Sequence, residues 1–247
     1  MGVANAGLFG FDRRSIYVLV GDTLCCILSV MANAIALIDG FNLYHALDAK
    51  SRHCGYRYHR YKWINYWALA ECFVPKSDVV LEVRWFTAEA PWVGASGQGK
   101  RNRHRELRIA NQEMGVTVVD GYFRPVQKTC RLDVPRALIS YSTYEEKRTD
   151  VAIAVSIVSL AGTKAYDKLV LVTADSDMIP AVEAAKRIHP AGAIINVVPI
   201  ERRAEALKHY VDAQIRMKEH HLLASVLPDV LQLGSGNIVR RPVSWAA

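Results

Sequence analysis

The chain has 247 residues, 51% of them hydrophobic and 22% charged, which suffices for one sizeable core and excludes a disordered chain. Its 15 Gly and 9 Pro are too few for a collagen-like or linker-like polymer. The 31 Lys and Arg outnumber the 24 Asp and Glu, and the resulting net charge of +7 makes polyanions the first class of partner to consider.

Residues 16–36, which follow Arg13 and Arg14, form the one stretch that raises the question of a membrane or of export. A spanning helix there would carry Asp22 near the middle of its apolar run, at about 2.5–3.5 kcal/mol. A signal-peptide cut near Ala34 or Ala36 would enter residues 34–38, which read as a strand. No stable membrane association is expected. The preferred reading makes residues 1–30 an extension ahead of a start at Met31; an ordered extra element and a targeting segment are the other readings. The five cysteines, at positions 25, 26, 54, 72 and 130, contain no C-x-x-C spacing. They argue against a disulfide framework or a structural zinc site and suit a reducing, cytoplasmic setting.

Beyond residue 33, short β-branched runs alternate with longer helical stretches. Strands are predicted at residues 34–38, 79–86, 116–119, 168–173 and 193–198. Helices are predicted at 42–49, 64–72, 101–114, 150–160, 179–188 and from 204 to 223. Near-continuous apolar runs mark strands buried on both faces, as in a parallel sheet covered by helices. Residues 151–161 suit either a central strand or a buried helix; their length, their alanines and the stop at Gly162 favour the helix. The predicted fold class is α/β, a Rossmann-like three-layer α/β/α sandwich with a central, mostly parallel sheet in strand order 3-2-1-4-5. It would span residues 31–227, with an irregular C-terminal tail at 228–247.

The informative feature is where the acids fall. Asp39 ends the first strand, and Asp175 and Asp177 follow the fourth. In an open α/β sheet, ligands bind outside the carboxyl ends of the strands where the strand order reverses, here between strands one and four. Asp39, Asp175 and Asp177 would converge there, and Asp150 adds a fourth acid at the start of a helix. Taken singly, each has a plainer role as a turn or helix cap or as a charge at a helix N-terminus. Together, carboxylates this close raise one another's pKa unless a cation sits among them. Oxygen donors without Cys or His nearby point to Mg²⁺ or Mn²⁺. Such an ion keeps positions open for water and phosphate oxygens, which suits phosphodiester hydrolysis.

Three segments carry a resemblance. They are Ala36-Leu-Ile-Asp39-Gly-Phe-Asn42-Leu, Glu146-Lys-Arg-Thr-Asp150-Val-Ala-Ile-Ala, and Leu171-Val-Thr-Ala-Asp175-Ser-Asp177-Met-Ile-Pro180. In order and spacing they resemble the signature segments of the NYN domain, a branch of the PIN-like nucleases, over residues 33–225. The resemblance implies a PIN-like fold and a metal-dependent endoribonuclease using Mg²⁺ or Mn²⁺ and no small-molecule cofactor. It carries the acidic cluster, catalytic and metal-holding, onto Asp39, Asp150, Asp175 and Asp177, and the motif asparagine onto Asn42. Met178 and Arg148 depart from commoner family residues without altering an acidic position. On this reading Asn42 orients a phosphate oxygen or a water, Lys147 neutralises charge on the scissile phosphate, and the products are 5′-phosphate and 3′-hydroxyl ends.

Two segments are candidates for the nucleic-acid track. Residues 50–67 interleave Lys50, Arg52, Arg57, Arg60 and Lys62 with Tyr56, Tyr58, Tyr61, Trp63, Tyr66 and Trp67. That is a pattern for single-stranded RNA, or else for a core with a solvated rim. Residues 100–148 hold 11 basic against 6 acidic side chains, with Arg101, Arg103 and Arg105 densest; a charge run of this kind also suits a plain solvated face. Residues 94–100 match the G-x-x-x-x-G-K spacing, but Arg101 stands where Ser or Thr would bind Mg²⁺. His220 and His221 lie about 100° apart on a helix and do not face one ligand. The rival readings are a non-catalytic RNA-binding or regulatory protein with a PIN-like fold, and a metal-dependent glycosyltransferase suggested by Asp175-Ser-Asp177. Dinucleotide binding is excluded, since no G-x-G-x-x-G follows the first strand.

Overall fold

The computed structural model of the chain describes residues 16–20, 23–27, 31–89, 95–133 and 136–246. Strands β1 (Ile16–Val20) and β2 (Thr23–Ile27) pair antiparallel as a separate two-stranded sheet. The rest of the predicted extension, residues 1–15, 21–22 and 28–30, lies outside the described residues. Among the described residues, no helix is long and apolar enough to cross a membrane.

The other elements follow as β3 (Asn33–Asp39), α1 (Gly40–Cys54), α2 (Tyr66–Glu71), β4 (Val79–Thr87), α3 (Ala95–Glu113), β5 (Thr117–Asp120), β6 (Tyr122–Asp133) and β7 (Arg136–Lys147). Then come α4 (Thr149–Thr163), β8 (Lys168–Val172), α5 (Ile179–Ile188), β9 (Ala193–Val198), β10 (Ala213–Arg216), α6 (Glu219–Ala224), β11 (Val230–Gln232) and β12 (Ile238–Arg240), with short 3-10 turns between some of them.

The central sheet has the order β10-β9-β8-β3-β4-β5, every pair parallel. This is the α/β sandwich with the predicted strand order, extended by one strand at the β9 edge. Period-2 alternation in β3 sends Ile35 and Leu37 into one apolar layer with Ile153, Ile157 and Val182, and Ala36 and Ile38 into another with Leu43, Trp63 and Trp85. Residues 151–161 form a helix. Ile153, Ile157 and Leu160 make one buried stripe at helical spacing, while Val151 and Val155 are exposed.

Three regions differ from expectation. Residues 204–223 are not one helix: β10 interrupts them, because Asp212 accepts from the Ile194 amide at 2.8 Å and Gln214 donates to Asn196 Oδ1 at 3.0 Å, holding the chain against β9. The tail expected to be irregular makes the β11–β12 hairpin, and Val239 and Trp245 are buried in the layer of Ile38, Trp63 and Trp85. Finally, β6 and β7 form a long antiparallel hairpin, paired from Tyr122↔Lys147 to Asp133↔Arg136 and separate from the main sheet. Residues 95–100, part of the phosphate-loop lookalike, are the opening turns of α3, and Gly94 lies outside the described residues.

Candidate active site

β3 and β8 are neighbours, with Ile38 opposite Val172, so their carboxyl ends place Asp39 beside Thr173. Asp39 is also the cap of α1. Its Oδ1 accepts from the Asn42 amide at 2.9 Å, and its Oδ2 accepts from Thr173 Oγ1 at 2.9 Å. The helix begins this close to the sheet because residue 40 is glycine: a Cβ there would collide with the Trp85 ring and lie 2.6 Å from the Phe86 carbonyl oxygen. Thr173 Oγ1 in turn accepts from the Asp175 amide at 3.1 Å, and Asp175 Oδ1 accepts from the Asp177 amide at 2.9 Å. Both Asp39 and Asp175 therefore do perform the plain capping role.

Capping does not account for their electrostatics. Asp39 is only 4% exposed, and its pKa is pushed up to about 6. Burial is the largest cause; the Asn42 amide and Thr173 hydroxyl oppose it, and Asp150 and Asp175 add to it. Asp150, in the first turn of α4, is also raised, first by burial and then by Glu146, Asp175 and Asp177. The four sequence-predicted aspartates thus act on one another across the ends of β3, β8 and α4.

Two further residues belong to this group and were missed in the sequence. One is Thr173, two residues ahead of Asp175 in the third motif. The other is Glu146, which opens the second motif: it accepts from the Thr149 amide at 3.0 Å and from the Thr149 hydroxyl, fixing the start of α4. Gly121 makes room for this contact, since a Cβ there would sit 2.6 Å from Thr149 Oγ1 and 2.9 Å from Glu146 Oε1. Arg148, with φ of 81°, turns the chain from β7 into α4 and lies 4.7 Å over the Tyr122 ring.

Among the described residues, no three His, Cys, Asp or Glu side chains stand in position to hold a common ion. Asp39 is turned onto Asn42 and Thr173, and Asp175 onto the Asp177 amide. The chemistry of the set nevertheless fits a hard divalent cation. Every donor is a carboxylate oxygen, and burial, with mutual repulsion added to it, raises two of the carboxyls. In addition, Asn42 Oδ1, in the turn that Asp39 caps, is buried without a partner. Asp150 and Asp177 are exposed.

The predicted substrate residues fare differently. Strand alternation sets Lys147 on the hairpin face of Glu145 and away from Glu146; its Nζ lies 3.1 Å from Glu145, which also binds Lys128 at 2.8 Å. The expected role of Lys147 at the scissile phosphate therefore meets an existing ion pair. Arg101, Arg103 and Arg105 lie on α3, whose contacts with the carboxyl ends of β4 and β5 run through His104 to Thr87 Oγ1 at 2.9 Å and Arg108 to Asp120 at 2.7 and 2.6 Å. They border the β4–β5 side rather than the aspartates.

Within residues 50–67, Arg52 and Arg57 are exposed, but four of the rings belong to the core. Tyr58, Tyr61, Trp63 and Tyr66 are buried, the Tyr58 and Tyr61 hydroxyls donate to Glu219 at 2.7 and 2.8 Å, and Lys62 is buried against Asp48 at 2.7 Å. These rings offer no face to a base. His220 is exposed and its ring touches that of His221, whose Nδ1 accepts from the Lys218 amide at 3.0 Å.

A solved protein of unknown function from Vibrio parahaemolyticus shares the fold, with a TM-score of 0.52 and 13% identity over 80% of this chain and 97% of that one. No curated protein matches the chain. The family model described as NYN domain matches residues 34–217, which takes in all four aspartates and both neighbouring residues identified above. The chain belongs to the NYN domain family, within the PIN-like nuclease superfamily.

Proposed function

We propose that the protein is a metal-dependent endoribonuclease that hydrolyses phosphodiester bonds of single-stranded RNA at this acidic group, in a reducing, cytoplasmic setting. One observation carries the reading. Asp39 is a nearly fully buried carboxyl, raised to about 6 and surrounded by further acids. A helix cap needs no such burial, whereas a site built to receive positive charge does.

Asp39, Asp150, Asp175 and Asp177 would hold Mg²⁺ or Mn²⁺, which when bound neutralises phosphate charge and lowers the pKa of coordinated water. The chain supplies the positioning. Thr173 holds Asp39 in its rotamer, Glu146 fixes the helix end that presents Asp150, and Asn42 Oδ1 would accept a hydrogen bond that orients the attacking water. In the reaction the water oxygen bonds to phosphorus while the bond from phosphorus to the 3′ oxygen breaks. The attacking water gives up a proton to solvent, the leaving oxygen takes one from solvent, and the ends are 3′-hydroxyl and 5′-phosphate. Labelled single-stranded RNA, single-stranded DNA and a nucleotide-sugar panel, each incubated with Mn²⁺ or EDTA, test this. Metal-dependent cleavage of RNA alone supports it, and transfer from a nucleotide sugar or RNA binding without turnover contradicts it.

A further inference from the structure

We propose that a row of rings formed by Tyr44, His45 and Phe41 of α1 and Phe123 of β6 is the surface on which unpaired bases of a single-stranded RNA stack as its backbone enters the acidic group. The proposal rests on the nuclease reading above.

The rings run in sequence across the carboxyl side of the sheet. Tyr44 and His45 have centroids 5.7 Å apart, His45 and Phe41 6.5 Å at an interplanar angle of 26°, and Phe41 and Phe123 5.6 Å edge to face. Positions 41, 44 and 45 share one face of α1 by helical spacing, opposite the buried Leu43, Ala46 and Leu47. Tyr44 is 39% exposed and His45 is exposed, so the row is not needed to fill the core.

Its inner end abuts the acids. Phe41 follows Asp39 by two residues, and Phe123 pairs across the hairpin with Glu146, whose charge acts on Asp150. Its outer end is cationic. Arg202 and Arg52 are exposed and their charges both act on His45, while Lys62, buried beneath the row, sets its Nζ 4.6 Å from the Tyr44 ring centroid. Asp48, the acid of this rim, is held by Lys62 at 2.7 Å and by Arg52 at 3.6 Å. Rings exposed at Tyr44 and His45 and half-buried at Phe41 and Phe123, flanked by cations and leading to the acidic group, form a stacking platform for bases, which is sequence-tolerant because every base has a π-face.

The test is fluorescence anisotropy of the full chain with a labelled single-stranded RNA oligomer in EDTA, where no cleavage occurs. A Tyr44→Ala, His45→Ala double variant is expected to bind at least about tenfold more weakly, with the slope of log affinity against log salt unchanged, because rings rather than charges are lost. Tyr44→Phe is expected to bind like the parent. An abasic oligomer of the same length is expected to bind the parent and the double variant alike. Parental affinity in the double variant, a parent that binds no RNA, or a change of oligomeric state in the double variant with RNA binding intact each overturns the proposal. Because binding is read without metal, its failure is separate from that of the nuclease reading, which is read by Mn²⁺-dependent cleavage.

Discussion

The hydroxyl of Thr173 donates to Asp39 Oδ2 at 2.9 Å from a fully buried position just beyond the neighbouring strand β8. Thr173 Oγ1 also accepts from the Asp175 amide, so one side chain ties the first acid of the site to the loop bearing the third and fourth.

Thr173→Val keeps the volume and removes the hydroxyl. It leaves Asp39 Oδ2 without its donor, and the expected loss is about 1–3 kcal/mol in denaturant unfolding. The Asp39 carboxyl should titrate still higher, because the hydroxyl is one of the two contacts that lower it. Unchanged stability would show that the relay contributes nothing.

Asp39 also sets a pH dependence. Its folded pKa of about 6 lies above the ordinary 3.8, so the folded protein holds this proton more tightly than the unfolded chain does. The contribution of Asp39 to stability is therefore greatest below about pH 4, falls as pH rises to about 6, and stays reduced above, by about 3 kcal/mol in total. Asn cannot ionise and can still accept from the Asn42 amide. Urea unfolding should find Asp39→Asn more stable than the parent at pH 7.5 and the difference much smaller at pH 4; a less stable variant at pH 7.5 contradicts the assignment.

A divalent cation should reverse that cost. Mn²⁺ is expected to raise the melting temperature of the parent at pH 7.5, to lose much of that effect below about pH 6 as protons compete for the carboxylates, and to do little for Asp39→Asn. Differential scanning fluorimetry over a Mn²⁺ titration reads all three. An equal shift in parent and variant would place the ion elsewhere.

The glycines of the site separate close approach from ordinary helix propensity. Gly121→Ala drives a methyl into Thr149 Oγ1 and Glu146 Oε1 and should cost about 1–3 kcal/mol. Gly162→Ala, inside α4 with nothing within 4 Å of the new carbon, should stabilise by about 0.5–1 kcal/mol. Thermal unfolding of the two variants gives shifts of opposite sign if the contact between β7 and α4 is as described.

The buried parts of this fold were legible in the sequence because burial imposes a period. α5 and β9 match residues 179–188 and 193–198 as predicted, and α4 declares itself through Ile153, Ile157 and Leu160. The β6–β7 hairpin was not legible. Much of its length is exposed, as at Leu138 and Tyr141, so no core-facing alternation marks it. β10 is a four-residue edge strand held by Asp212 and Gln214 rather than by an apolar run. Residues 50–67 misled for the opposite reason: a Tyr and Trp cluster reads alike in a core and on a binding surface, and only the partners Glu219 and Asp48 decide. At the site, the aspartates were visible as strand-end residues. Thr173 and Glu146 were hidden, since a threonine ending a strand and a glutamate ahead of a helix gain meaning only from what the fold sets against them.

The most direct measurement of the central claim is the initial rate of single-stranded RNA cleavage by the parent and by Asp175→Asn in Mn²⁺, with EDTA as the blank and circular dichroism confirming that both fold. Cleavage by the parent that EDTA abolishes and that Asp175→Asn reduces by at least about a hundredfold is the expected result. A folded Asp175→Asn variant that degrades RNA as fast as the parent would contradict the assignment of this acidic group as the active site.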